Sequence, residues 1–145
     1  DEWLRENQIL DAERATVAQL LTAKANGGGA PPVVSVGPQA TVRQALNLMS
    51  TYNVSQLPVL DGDNDIGAVA EQSLMARALG DPAVLDRPVR DVMDPPFPVV
   101  DEHWPLERLT ALLKRETPAV LVRLDGRIAG IVTRYDLLHQ LAGIR

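Results

Sequence analysis

Ile66-Gly67-Ala68-Val69-Ala70-Glu71-Gln72-Ser73-Leu74 and Ala129-Gly130-Ile131-Val132-Thr133-Arg134-Tyr135-Asp136-Leu137 are one pattern written twice, Ile66 and Ala129 standing 63 residues apart. Each copy is a short apolar run holding one glycine, which reads as a strand, followed by a polar stretch and a leucine, which reads as the start of a helix. Upstream, Leu57–Leu60 reads as a strand joined to Ile66–Ala70 through a turn at Asp61–Asp65. Ala119–Val122 is likewise joined to Ile128–Val132 through Asp125-Gly126. Further out, Thr41 can cap a helix with Val42, Ala45, Leu46 and Met49 on its apolar face. Pro105 opens the corresponding helix, with Leu106, Leu109 and Leu113 on one side.

The outermost pieces repeat as well. Val33–Val36 and Phe97–Val100 both read as strands, and Val89–Met93 matches Val17–Leu21. Each copy therefore runs strand–helix–strand–strand–helix, an α/β (α+β) unit with its helices against a small sheet. Two copies are too few, and each is too long, for a solenoid; they predict two motifs packed about a pseudo-twofold axis. The expected divisions are a linker helix and Gly-rich connection over 1–30, with Val17–Leu21 assigned to the first motif. The first motif covers 31–80, a connector with a short helix 81–96, and the second motif 97–145. The linker helix is read over Trp3–Lys24 from its helical spacing of apolar residues, and Gly27-Gly28-Gly29 ends it.

Composition bounds the chemistry. The 145 residues are 46% hydrophobic and 23% charged, enough for a core without disulfides or a structural metal. Only 3% are aromatic, so that core has to come from Val, Leu, Ile, Ala and Met. The absence of Cys excludes disulfides, zinc ribbons, iron–sulfur clusters and a cysteine nucleophile. The two histidines, His103 and His139, are far apart in sequence, which argues against a multi-His metal site. A net charge of −5 argues against nucleic acid or an anionic membrane as the main partner. No apolar run approaches the roughly 18 residues of a membrane span, and Asp1-Glu2 stands where a signal peptide needs basic residues. The expectation is a cytoplasmic protein, and the missing initial Met reads as a fragment or a processed product.

The ββα ending with its Gly-x-Val, polar cap and helix resembles the cystathionine-β-synthase (CBS) domain. The most specific pieces are Val54–Gly62 (VSQLPVLDG) and Gly130–Leu138 (GIVTRYDLL), and the likeness runs from about Ala12 to Leu141. Two such motifs in tandem resemble a CBS-domain pair, which implies a regulatory module that binds adenosine-containing ligands. The opening DEWLRENQ and closing LLHQLAG are similar to the tail of bacterial cystathionine β-synthase. That narrower resemblance implies a pyridoxal-phosphate catalytic domain on missing chain, with no cofactor in this part. The broader resemblance to a CBS-domain pair implies a homodimer or higher assembly formed through the faces of the pair.

Thr133-x-x-Asp136 is the sharpest constellation. At a strand-to-helix junction both side chains face one way, and an ionised Asp136 can accept from the 2′- and 3′-hydroxyls of a ribose. Such charge-assisted bonds contribute roughly 1.5–3 kcal/mol each. The same spacing also makes a helix cap, with Thr133 satisfying an unpaired N–H; the two roles are compatible. By resemblance Thr133 contacts the ligand and Asp136 holds the ribose. The resemblance also brings Val54, Ser55 and Gln56 opposite Asp136, with Gly28 nearby and Val54 and Tyr135 packing the adenine faces. The alternatives are that Val54 is core, Ser55 and Gln56 are turn polars, and Gly28 is a hinge.

In the first copy Ala70 and Ser73 stand where the second has Thr133 and Asp136, which predicts one competent and one degenerate pocket. Few basic groups stand near the motif (Arg134, Arg123, Arg127), and the only lysines are Lys24 and Lys114. This favours S-adenosylmethionine over a triphosphate, with AMP or ATP as the alternative. Asp61–Asp65 lacks the Gly and Glu of a calcium loop and reads as a hairpin turn, and His103-Trp104 reads as a cap or core pair. No catalytic constellation is present, so the fragment is expected to sense for an attached enzyme. The rival readings are a dimerisation module that binds nothing, and an AMP or ATP sensor of a different parent.

Overall fold

The described residues of this computed structural model are 15–26, 33–114 and 117–143. In chain order they form α1 (Val17–Asn26), α2 (Val42–Tyr52), β1 (Gln56–Asp61), β2 (Asn64–Ala70) and α3 (Glu71–Gly80). Then come two 3-10 turns, Pro82–Asp86 and Val89–Asp91, followed by β3 (Val99–Asp101), α4 (Leu106–Leu112), β4 (Ala119–Leu124), β5 (Arg127–Thr133) and α5 (Arg134–Gly143). The chain divides into a contiguous unit, Val33–Phe97, and a split unit formed by the residues on either side of it.

The two stretches that repeat are the second strands of two hairpins with the same register. In one, Leu57 faces Val69 and Val59 faces Gly67; in the other, Val120 faces Val132 and Val122 faces Gly130. Each ladder slips immediately afterwards, between Val59 and Leu60 and between Val122 and Arg123. Only the turns differ. Gly62 has φ 63° at the first turn position, whereas Asp125 and Gly126 both have positive φ (50° and 78°). These are the Gly-first and Asp-Gly solutions for a two-residue hairpin.

α2 starts on a reciprocal cap, Thr41 N–H donating to Gln44 Oε1 at 2.9 Å and Gln44 N–H to Thr41 Oγ1 at 3.1 Å. It ends at Asn53, in the left-handed conformation at φ 54°, whose N–H donates back to the last turn. Val42, Ala45 and Met49 are its buried face. α4 follows Pro105 directly, burying Leu106 and Leu109, while Leu113 lies one residue past its end. The strand expected at Val33–Val36 reduces to a single parallel bridge from Val36 to Val59, because Gly37-Pro38 turns the chain away at once. Its counterpart forms as β3, parallel to β4.

Each unit has its own core. Leu57, Val59, Val69, Leu74 and Val89 pack with the buried face of α2, and Val120, Val122, Val132, Leu137 and Val17 pack with Leu106 and Leu109. The assignment of Val17–Leu21 to the first motif is therefore corrected. Val17 and Leu20 are buried in the core of the split unit, while Val89 and Val92 occupy the equivalent places in the contiguous unit. The glycines of the repeated stretch explain the fit. A Cβ on Gly130 would lie 2.6 and 2.8 Å from the Leu21 methyls, and one on Gly67 would lie 2.8 Å from Met93 Cγ. Each glycine opens a slot for one side chain of its own unit. Trp3 and Gly28 lie outside the described residues, as do the Gly-rich connection and Pro31-Pro32.

Candidate functional site

Strand β5 delivers Thr133 to the head of α5, where its amide and hydroxyl meet the side chain and amide of Asp136. Thr133 N–H donates to Asp136 Oδ2 at 2.9 Å, and Asp136 N–H donates to Thr133 Oγ1 at 3.1 Å. Both residues are half-buried. The hydroxyl satisfies one unpaired N–H of the first helical turn, and the carboxylate lies at the positive end of the helix dipole. The neighbouring amide is also taken, since Arg134 N–H reaches Pro118 O at 3.3 Å. The capping arrangement is thus present in full. It also orients the carboxylate, which is what a group gripping a ribose requires.

Tyr135, expected against an adenine face, is 72% exposed. Its ring stacks on His139, with centroids 5.8 Å apart and planes within 11°. Its neighbour one turn on, Leu138, is also exposed. Trp104 packs partly buried against the split-unit core and carries the Arg108 guanidinium 5.1 Å from its ring centre. His103 N–H donates to Asp101 Oδ1 at 2.8 Å.

The other expected residues belong to the contiguous unit. Val54 is half-buried against that unit's core, and its N–H donates to Met49 O at 3.0 Å. Ser55 is exposed and its carbonyl accepts from Glu71 N–H at 2.9 Å; Gln56 opens β1, paired with Ala70. Ser55 and Gln56 line an open groove of about 390 Å³ with Ala70, Glu71, Gln72 and Met75. This groove stands at the head of α3, where Ala70 supplies no side-chain cap. Glu71, Gln72 and Met75 were not singled out from sequence. The 63-residue spacing could have found them, because it carries them onto Arg134, Tyr135 and Leu138.

The structure thus brings together Thr133 with Asp136 in one unit, and Ser55 with Gln56 in the other. The Asp61–Asp65 run closes the β1–β2 hairpin: Gly62 and Asp63 are the turn, and Asp61, Asn64 and Asp65 are the strand ends that flank it. Among the described residues, no helix is long and apolar enough to cross a membrane.

A family model described as the CBS domain matches residues 30–80 and again residues 89–143. The inosine-5′-monophosphate dehydrogenase of Methanocaldococcus jannaschii is 32% identical over 109 residues, covering 74% of this chain. That match takes in 21% of the dehydrogenase, so the chain spans about a fifth of that relative's length. The crystal structure of the CBS domain NE2398 is similar with a TM-score of 0.75 and 25% identity, over 88% of this chain and 98% of that one. CBSX2, solved in complex with AMP, is similar at a TM-score of 0.64 and 28% identity, over 77% and 89%. The CBS domain pair of MJ0100, solved with 5′-methylthioadenosine and S-adenosyl-L-methionine, shares the fold at a TM-score of 0.70 and 20% identity, over 90% and 98%.

Proposed function

This chain belongs to the CBS-domain family, with two copies of the domain in tandem, and from that premise we propose that it is a regulatory module for an adenosine-containing ligand. Asp136 holds the ribose hydroxyls and Thr133 contacts the ligand at the head of α5; the family resemblance assigns Val54, Ser55 and Gln56 of the contiguous unit to the adenine. S-adenosylmethionine is the first candidate, because few basic groups stand near the motif. AMP and ATP follow. The observation that carries the reading is the half-buried Asp136 carboxylate, fixed by the Thr133 amide at 2.9 Å, where the counterpart helix α3 has Ser73 and carries its first-turn acid at Glu71 instead. The ligands of CBSX2 and MJ0100 supply the chemical class.

On this reading, the module controls an attached catalytic domain by binding its ligand more tightly in one arrangement than in another. The sequence termini favour a pyridoxal-phosphate cystathionine β-synthase as that parent, while the relative of 32% identity is a dehydrogenase. A parent enzyme is therefore the broad form of the proposal, and the lyase, with pairing into a homodimer, its narrow form. A second reading, a dimerisation module that binds no ligand, is favoured by the completeness of the Thr133–Asp136 cap and by the exposure of Tyr135 and Leu138.

Calorimetric titration of S-adenosylmethionine, AMP and ATP against the wild type, Asp136→Asn and Asp136→Ala separates the two. Asn keeps an acceptor for the Thr133 amide but loses the charge. A ribose-holding role predicts that Asn weakens binding by about 1.5–3 kcal/mol, tenfold or more, while leaving thermal stability near wild type. Heat from no ligand supports the dimerisation module, and equal binding by both variants refutes the site assignment.

A further inference from the structure

The helix that completes the core behind Thr133 and Asp136 comes from the other end of the chain. Val17 and Leu20 of α1 lie in one cluster with Val132 and Leu137, the residues immediately before Thr133 and immediately after Asp136. Leu21 fills the slot above Gly130, three residues before Thr133 on the same strand. The start of α1 is tied down by backbone bonds, Val17 N–H to Trp104 O, Ala18 N–H to Glu102 O and Leu106 N–H to Ala15 O, each 2.9 Å. In the contiguous unit the same places are taken by Val89, Val92 and Met93, which directly follow the motif they complete.

We propose that α1 is a coupling helix: its docking on β5 and α5 and the occupancy of the Thr133/Asp136 site stabilise each other. The proposal rests on reading that site as the ligand site, and it adds the element through which occupancy is transmitted. The physical link is short. Any opening that withdraws Val17, Leu20 and Leu21 uncovers Val132 and Leu137, and so loosens the strand-to-helix junction that fixes the carboxylate. Linkage makes the effect reciprocal. A ligand that requires the junction ordered holds α1 down, and a weakened α1 lowers ligand affinity by the same factor. At Ala70/Ser73 the equivalent support comes from Val89–Met93, which follows shortly after in the chain instead of preceding the other motif.

Amide hydrogen exchange on the full chain tests this, with β4 amides Leu121 and Val122 as the monitor of global unfolding. With a ligand that calorimetry shows to bind, present at 100 times its Kd, exchange at Leu20 and Leu21 should slow by up to about 100-fold. Without ligand, Leu21→Ala should speed exchange at the Asp136 amide, and Thr133→Ala should speed it at Leu20 and Leu21, both beyond any change in β4. Leu21→Met, which keeps the volume, should leave the junction protected. Binding without slower exchange in α1 overturns the coupling and leaves the ligand site standing. If none of the three ligands binds, the functional reading falls and the ligand-free variants decide the coupling. Reciprocal, local effects then support it, while changes shared equally by β4 or confined to the mutated element overturn it.

Discussion

Gly130→Ala tests the packing that assigns α1 to the split unit. The new Cβ would stand 2.6 and 2.8 Å from the two Leu21 methyl carbons, where carbon atoms ordinarily rest at about 3.5–4.0 Å. Roughly an ångström must be recovered by moving Leu21, and overpacking of this kind costs about 1–3 kcal/mol. Gly130 does not have positive φ, so the alanine also gains about 0.4–1 kcal/mol through the unfolded chain. The expected net loss is about 1–2 kcal/mol, a fall in Tm of roughly 2–8 °C for a chain of this size. The sign should depend on Leu21. In a Leu21→Ala background the obstructing methyls are gone, and Gly130→Ala should become neutral or stabilising. Thermal and urea unfolding of the wild type, both single variants and the double variant measure the coupling. Additive effects in the double variant would sink the claim that Leu21 occupies the Gly130 slot, because contacting residues should couple by about 0.5–3 kcal/mol.

Other consequences are narrower. Thr41→Ala removes the reciprocal cap of α2 and should cost about 0.5–2 kcal/mol in urea unfolding. A change within error would mean that the cap contributes nothing. Gly126→Ala places a side chain at φ 78° with nothing within 4 Å of it, so a loss of about 1 kcal/mol should be purely conformational. Gly126→Asn should recover part of it, since Asn tolerates that region. Grafting Ala70→Thr with Ser73→Asp should add a cap to α3 and raise stability by about 1 kcal/mol. If the functional reading holds, calorimetry of the graft should detect a second adenosyl site, and unchanged stoichiometry would count against Asp136 as the deciding group.

Most of the architecture was legible because the repeat carries its own check. The glycine of the strand, the leucine of the helix and the 63-residue spacing all returned in the structure as matched registers and matched core positions. The failure at Val17–Leu21 has a definite cause. Similarity to Val89–Met93 shows that the two segments do the same job, but not for which unit. Proximity in the chain favoured the first motif, whereas the Gly130 slot takes Leu21 and the Gly67 slot takes Met93. Val33–Val36 was overread because three valines in four residues look the same whether they make a ladder or one bridge. At the site, Thr133 and Asp136 were legible as a pair at a helix head. The stacking of Tyr135 on His139 was not, because an i to i+4 ring contact on an exposed face leaves no mark on the apolar pattern.

The contiguous unit serves as an internal control for the meaning of Thr133 and Asp136. α3 and α5 have the same length, follow hairpins of the same register, and tie their first amide to the carbonyl just before the first hairpin strand, Ser55 in one case and Pro118 in the other. α3 forms with alanine at its N-cap and no side-chain bond there. The backbone scaffold therefore builds this helix without a capping pair, and a cap is worth only about 1 kcal/mol where one exists. Forming the helix does not by itself account for an aspartate at position 136, since serine serves at the equivalent place. Both helices carry a half-buried acid in the first turn, Glu71 in α3 and Asp136 in α5, so what Asp136 adds beyond Ser73 is a carboxylate held in place by the Thr133 amide. That property matters to a partner with hydroxyl or other donor groups more than to the helix. The asymmetry between the two units thus weighs towards recognition, and it does so on packing and hydrogen bonding, independently of any likeness to other proteins.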